Sequence, residues 1–151
     1  IILKIMMEEL RQTLDLQLSQ LNTIAGILRA EQQLLCAGSI DINKLHEITE
    51  QKNFVLTALG HTDQKRQILS KQVGIDRPYQ GQPFLADLWG QLVDLTEELK
   101  HLNQHNGLLS EQHITRNSET LHFLQKNHSP TLYGADGQAQ RSILAGRKIQ
   151  I

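Results

Sequence analysis

The chain is poor in the residues that most folds use to punctuate and cross-link themselves. It has one cysteine, Cys36, which excludes an internal disulfide and a cysteine-rich zinc site and fits a reducing compartment. Aromatic residues make up only 4%, so a core must come from leucine and isoleucine. That favours packed helices over a sheet, which would draw on Val, Tyr, Phe and Trp. Neither sign of charge dominates: 15 basic and 16 acidic residues give a net charge of −1. The basic excess of a nucleic-acid binder or an acidic-membrane binder is therefore missing. No apolar run is long enough to span a bilayer. The nearest candidate, Ile1 to Met7, is short and lacks a cleavage site of small residues. A soluble, cytoplasmic, single-domain protein is the expectation, with Met7 as its native start and the residues before it a remnant or upstream sequence.

What the chain does have is leucine at helical spacing. Leu14, Leu21, Leu28 and Leu35 recur every seven residues, widened by Leu10, Leu18, Ile24 and Ala25. They predict an amphipathic helix over about 7–37, ended by Gly38 as the residue after the C-cap. Ser39 or Asp41 can cap a second helix over 41–73, stopped by Gly74. Its stripe uses Leu45, Ile48, Val55, Leu59 and Leu69, with Phe54, Leu56 and Ile68 beside it. Lys52, Thr62 and Arg66 read as interruptions. Residues 74–82 hold the breakers of a loop, and Pro83 suits the first position of a third helix over 83–127.

The third stripe is the strongest: Leu85, Leu88, Leu92, Leu95, Leu99, Leu102, Asn106 and Leu109, spaced alternately by three and four. That is a coiled-coil-like seam, with Asn106 as the polar residue that can fix register. The fold class is all-α: an elongated antiparallel helical hairpin or three-helix coiled-coil-like bundle. The helical domain occupies 1–127 and a flexible C-terminal tail 128–151. Spacing alone leaves a closed bundle and an open hairpin with a swinging third arm equally available. Length adds a constraint. At about 1.5 Å per residue the third helix reaches roughly 65 Å and its partners roughly 45 to 50 Å. Partners of that length cover it to about His113, and the remainder, from Ile114 through Leu121, Phe123 and Leu124, overhangs. Gly107 costs about 1 kcal/mol relative to alanine inside a helix, so a bend or break is expected there.

The chemistry-bearing residues favour plain readings. His101 and His105 lie four apart with His113 further along, but no acidic ligand accompanies them and no glutamate base lies between them, so a solvated helix face is the better account. Cys36 has no base nearby in sequence to activate it. Asp94, Glu97 and Glu98, like Glu8 and Glu9, sit between leucines on helix surfaces. Gly134 and Gly137 lack the Lys-Ser/Thr of a phosphate loop. Trp89 borders the seam as a core anchor. No catalytic residue, metal or cofactor is indicated. Beyond Pro130, the Leu132–Tyr133 pair lies among glycines, outside any repeat that could bury it, and so reads as a contact awaiting a partner.

Two strings carry a family resemblance. Leu102-Asn103-Gln104-His105-Asn106-Gly107 and Pro130-Thr131-Leu132-Tyr133-Gly134-Ala135-Asp136-Gly137-Gln138 resemble the flagellar export chaperones of the FlgN family in enteric bacteria. Similarity extends to Ala30-Glu31-Gln32-Gln33-Leu34-Leu35 and Ile48-Thr49-Glu50-Gln51-Lys52. The resemblance implies a cytoplasmic chaperone of flagellar type III secretion. Such a chaperone holds the hook-filament junction proteins FlgK and FlgL and delivers them to the export gate FlhA. It further implies client binding on the strip Leu108, Leu109, Ile114, Leu121, Phe123 and Leu124, and gate docking at Leu132 and Tyr133. Nucleic acid and membrane insertion are not expected. Two rivals stand beside this reading: a structural coiled-coil protein that self-associates through the same stripe, and a metal-dependent helical enzyme built on His101 and His105.

Overall fold

The computed structural model describes residues 1–127 of the chain, and these form three long helices. They are α1 (Ile2–Leu35), α2 (Ile42–Val73) and α3 (Pro83–Asn127). No strand occurs among the described residues, so the all-α bundle expected from composition is what forms. The tail expected over 128–151 lies outside the described residues.

Side-chain pairs fix the directions. Gln17 meets Asp63 and Glu31 meets Lys52, so α1 and α2 are antiparallel. Arg11 sits over Phe84, Asn106 bonds the carbonyl of Leu28, and His113 bonds that of Leu35, so α3 runs parallel to α1. The helix backbones of α2 and α3 each pack closely on α1 and not on each other. α1 is thus the middle element. α3 lies along it from Leu85 to Ile114 and is no swinging arm.

Heptads explain the packing. The leucines Leu14, Leu21, Leu28 and Leu35 of α1 are all buried, and so is the interleaved set Leu10, Gln17, Ile24 and Glu31. On α2 the buried seam is Leu45, Lys52, Leu59 and Arg66, again seven apart. On α3 it is Leu85, Leu92, Leu99 and Asn106. The main core joins Leu10 through Leu28 of α1 with Leu56, Leu59 and Leu69 of α2 and Leu85 through Leu99 of α3. Each such leucine contributes about 1.5–3 kcal/mol through removal of apolar surface from water.

Lys52, Thr62 and Arg66, expected to interrupt the α2 stripe, are therefore part of its buried face, while Phe54 and Ile68 are exposed. The reason is pairing: each buried cation meets an anion from the seam or the adjoining turn. Lys52 reaches Glu31 at 3.3 Å, with side-chain exposures of 2% and 7%. Arg66 donates from Nε to Asp63 at 2.8 Å and from Nη1 to the Tyr79 hydroxyl at 3.0 Å.

The helix ends differ from expectation at two places, both on α1. Cys36, in right-handed helical geometry (φ −84°, ψ −8°), closes α1, so Gly38 does not serve as its terminator. The helix also begins earlier than expected, at Ile2. Asp41 caps α2 by accepting from the Lys44 amide at 3.2 Å. Gly74 ends it at φ 82°, a left-handed conformation that glycine adopts without a Cβ clash. Pro83 opens α3 as expected, and the helix passes through Gly107 without a break. The loop between α2 and α3 is more than a connector. It carries a cis Arg77–Pro78 bond and folds Tyr79 (φ 63°) into the core, where the tyrosine is 1% exposed. The ring meets Trp89 edge-on at 5.9 Å, and its hydroxyl lies 2.8 Å from Ser70 Oγ.

Candidate functional site

The feature that sets this bundle apart is the unequal length of its helices: 34, 32 and 45 residues. Because α3 starts level with about Leu10 of α1, the excess emerges at the far end, past the α1–α2 turn. The anchors at the bundle end are specific. His113 Nε2 bonds the Leu35 carbonyl, an oxygen at the C-terminus of α1 with no intrahelical donor. Leu109 and Ile114 pack on a small cluster of Leu35, Leu45, Leu34 and Ile40. Beyond Ile114, residues 115–120 are all exposed.

The six expected client-strip residues consequently divide. Leu109 and Ile114 belong to the bundle end and close it, so the overhang begins at Thr115, not at Ile114. Leu121 is half-buried. Leu108, Phe123 and Leu124 are 59%, 63% and 43% exposed. The projecting strip is thus Leu121, Phe123 and Leu124, with Leu108 exposed nearer the bundle. Leu132 and Tyr133 lie outside the described residues. An isolated helix of about 12 residues is marginal in water because nucleation is unfavourable. Here the bundle supplies the nucleus, and the overhang extends it one hydrogen bond per residue.

Just below the overhang lies a buried polar clamp that the heptad reading anticipated only at Asn106. Asn106 Nδ2 donates to the Leu28 carbonyl and to Glu31 Oε1, both at 2.9 Å. Glu31 also accepts from Lys52, so one carboxylate ties all three helices together. Ser110 donates to the Asn106 carbonyl at 3.0 Å. A polar contact works only when donor and acceptor are level, so this cluster sets how far α3 slides along α1, and hence how much of it projects. The signal was present in sequence: Lys52 lies seven residues after Leu45, and Glu31 seven after Ile24.

A second polar cluster anchors the opposite end. Burial alone would push the Asp63 carboxyl up. Hydrogen bonds from Arg66, Gln17 and Gln67 outweigh that and hold it below the usual carboxylate range. Burial likewise opposes the charge on Arg66, but Asp63 and Tyr79 restore it, and the guanidinium stays raised. Its Cζ lies 4.8 Å from the Trp89 ring centre. Their neighbours Lys71 and Arg77 line a hollow with them, where both signs of charge are present and the best-placed pair, Asp63 and Arg66, is bonded to itself.

The remaining candidates are surface features. His101 pairs with Glu97 at 3.4 Å on an exposed face, and Cys36 is an exposed free thiol at the α1 end. Among the described residues, no three His, Cys, Asp or Glu side chains gather closely enough to hold a metal. No helix among them is long and apolar enough to cross a membrane.

This geometry defines a class: an elongated helical bundle protein that locks its register with buried polar contacts and presents the end of one helix beyond the others. The chain belongs to the FlgN family, whose model, described as FlgN protein, matches residues 6–141. It is 99% identical over 146 residues to a flagella synthesis protein FlgN of Proteus mirabilis, covering 97% of this chain and all of that protein. Its identity to the FlgN of Yersinia enterocolitica is 42% over 144 residues, covering 95% of this chain and 98% of the other. With that of Salmonella typhimurium it is 37% over 145 residues, covering 96% of this chain and all of the other. No solved structure matches the chain. The resemblance read from the Leu102–Gly107 and Pro130–Gln138 strings is therefore a family relationship.

Proposed function

We propose that this protein serves flagellum synthesis as a cytoplasmic chaperone of type III export. In this reading it holds the hook-filament junction proteins FlgK and FlgL on the end of α3 and hands them to the export gate FlhA through Leu132 and Tyr133. Family membership supports the flagellar role. The observation that carries the finer reading is the projection of α3 past the Leu35–Leu45 cluster, with Leu121, Phe123 and Leu124 on it. An amphipathic helix end of this kind offers an apolar strip to a partner's helical segment. A marginal overhang gains order on binding, which holds affinity at a level that permits later release. No nucleotide, metal or cofactor enters this account.

The test uses the full chain and the isolated terminal segment of FlgK or FlgL. Leu121→Ser with Phe123→Ser should weaken client binding at least tenfold by calorimetry while leaving the melting temperature nearly unchanged. Unchanged binding would remove the overhang from the site. Tyr133→Ala should weaken capture by FlhA and leave client binding intact. Equal loss of both would merge the two surfaces into one.

A further inference from the structure

A shallow groove runs along the outer side of α1 and α2, starting at the turn that joins them. On α1 it is lined by Ile27, Ala30 and Leu34, and on α2 by Ile48, Phe54 and Val55. Phe54 on its edge is 77% exposed. Ile27 and Leu34 are seven residues apart, and so are Ile48 and Val55. Each helix therefore presents two apolar positions on one face, about 10 Å apart. The rim beside them is acidic on balance, with Glu47 and Glu50 against Lys44. Two antiparallel helices with such a floor leave the position that a further helix takes in a four-helix bundle.

We propose that residues 142–151 of the same chain, which lie outside the described residues, dock in this groove as a short helix. Sequence pattern is the first argument. Leu144 and Ile151 are again seven apart, so on a helix they meet both apolar positions together. Arg147 and Lys148 fall between them on that face, level with Glu47 and Glu50, and the segment holds no acidic residue. Reach is the second argument. From Asn127, where α3 ends, the way back to the turn is ~18 Å along the overhang and up to ~20 Å across α1, about 27 Å in all. The 14 residues 128–141 span up to ~46 Å, whereas Leu132, five residues past Asn127, reaches only ~17 Å. Reach thus selects 142–151 over the Leu132–Tyr133 pair. Tethering is the third. A segment attached this closely meets the groove at an effective concentration on the order of mM, so a contact too weak to hold a free peptide still forms. Ten residues with Gly146 among them make a poor helix alone, and the groove supplies the packing that a helix needs. Docking closes 128–141 into a loop held at both ends, which narrows the positions open to Leu132 and Tyr133 before they meet the gate. That consequence rests on the chaperone reading, whereas the docking does not.

The test uses the full chain and needs neither client nor gate. Cys36, the single cysteine, is exposed and lies two residues from Leu34, so a nitroxide attached to it sits at the mouth of the groove. In the amide NMR spectrum of this 17.1 kDa chain, the label should broaden 142–151 more strongly than 134–137, although 142–151 is further along the chain from α3. Phe54→Lys in the groove and Leu144→Lys on the segment should each bring the broadening of 142–151 down to that of 134–137. Phe54 is exposed and Leu144 lies beyond the bundle, so both variants should keep the wild-type melting temperature. The excess should also survive dilution, because the contact is made within one chain. Equal broadening of the two stretches in the wild type overturns the proposal. So does an excess that both substitutions leave intact, or one that disappears on dilution and so belongs to a second molecule. Loss of gate capture with the excess preserved, or the reverse, would separate the docking from the chaperone reading.

Discussion

Replacing Lys52 by methionine tests the register clamp directly. The substitution keeps the length and most of the volume of the side chain and removes only the charge. In the native bundle the ammonium is 2% exposed and sits 3.3 Å from Glu31. Without it, Glu31 keeps the Asn106 amide at 2.9 Å as its side-chain donor, for a carboxylate almost out of water. Breaking a buried pair from one side costs about 3–5 kcal/mol, because the remaining charge is stranded. Against a total stability of about 5–15 kcal/mol that is a large fraction. For a chain of this size it corresponds to a fall in melting temperature on the order of 10 °C. Circular dichroism on thermal and urea unfolding reads it out, and an unchanged urea slope would show that the same surface still unfolds. The companion variant Lys52→Met with Glu31→Leu removes both charges and should recover most of the loss. A shift below about 3 °C for the single variant would mean that water reaches Glu31, and that the clamp does not set the position of α3.

Other outcomes follow from the same structure. Tyr79→Phe removes the hydroxyl that joins Arg66 and Ser70 and should cost about 1–3 kcal/mol by urea denaturation, with α-helical content retained. Asp63 is held below its unfolded value, so its contribution is present above about pH 4 and is lost as the pH falls through its folded value. Asp63→Asn should therefore lower stability at pH 7 by about 1–2 kcal/mol and flatten the acid limb of a stability–pH profile. An acid limb identical to wild type would show that Asp63 plays no part in it. Gly74→Ala forces a Cβ into the left-handed region at φ 82° and should cost about 1 kcal/mol, read as a small drop in melting temperature.

Leucine spacing made the fold legible. The three helices, the Asp41 cap, the Gly74 stop, the Pro83 start and the point at which α3 outruns its partners are all consequences of local pattern and length. So is the register role of Asn106, because a lone polar residue in a continuous apolar seam stands out. The polar residues of α2 were harder to place. Lys52 and Arg66 look like solvated surface until Glu31 and Asp63 are known to lie level with them, and that alignment is a tertiary fact. Tyr79 was hidden for a related reason. Breakers on both sides mark a loop, and nothing local says that the loop turns its aromatic inward onto Trp89. Gly107 misled in the other direction: packing of Leu102, Asn106 and Leu109 on α1 keeps the helix continuous across a residue that propensity alone would use as a break. At the candidate site, length located the overhang, but only the Leu35–Leu45 cluster shows that Leu109 and Ile114 close the bundle. Leu132 and Tyr133 rest on the family resemblance.

The most direct test of the central claim, that cargo binds on the projecting end of α3, is amide hydrogen exchange across 105–126. It should be run with and without the terminal segment of FlgK or FlgL. The account predicts fast exchange from Thr115 to Lys126 in the free protein, strong slowing there on adding the segment, and little change in α1 or α2. Protection confined to the bundle, with the overhang still exchanging freely, would contradict it.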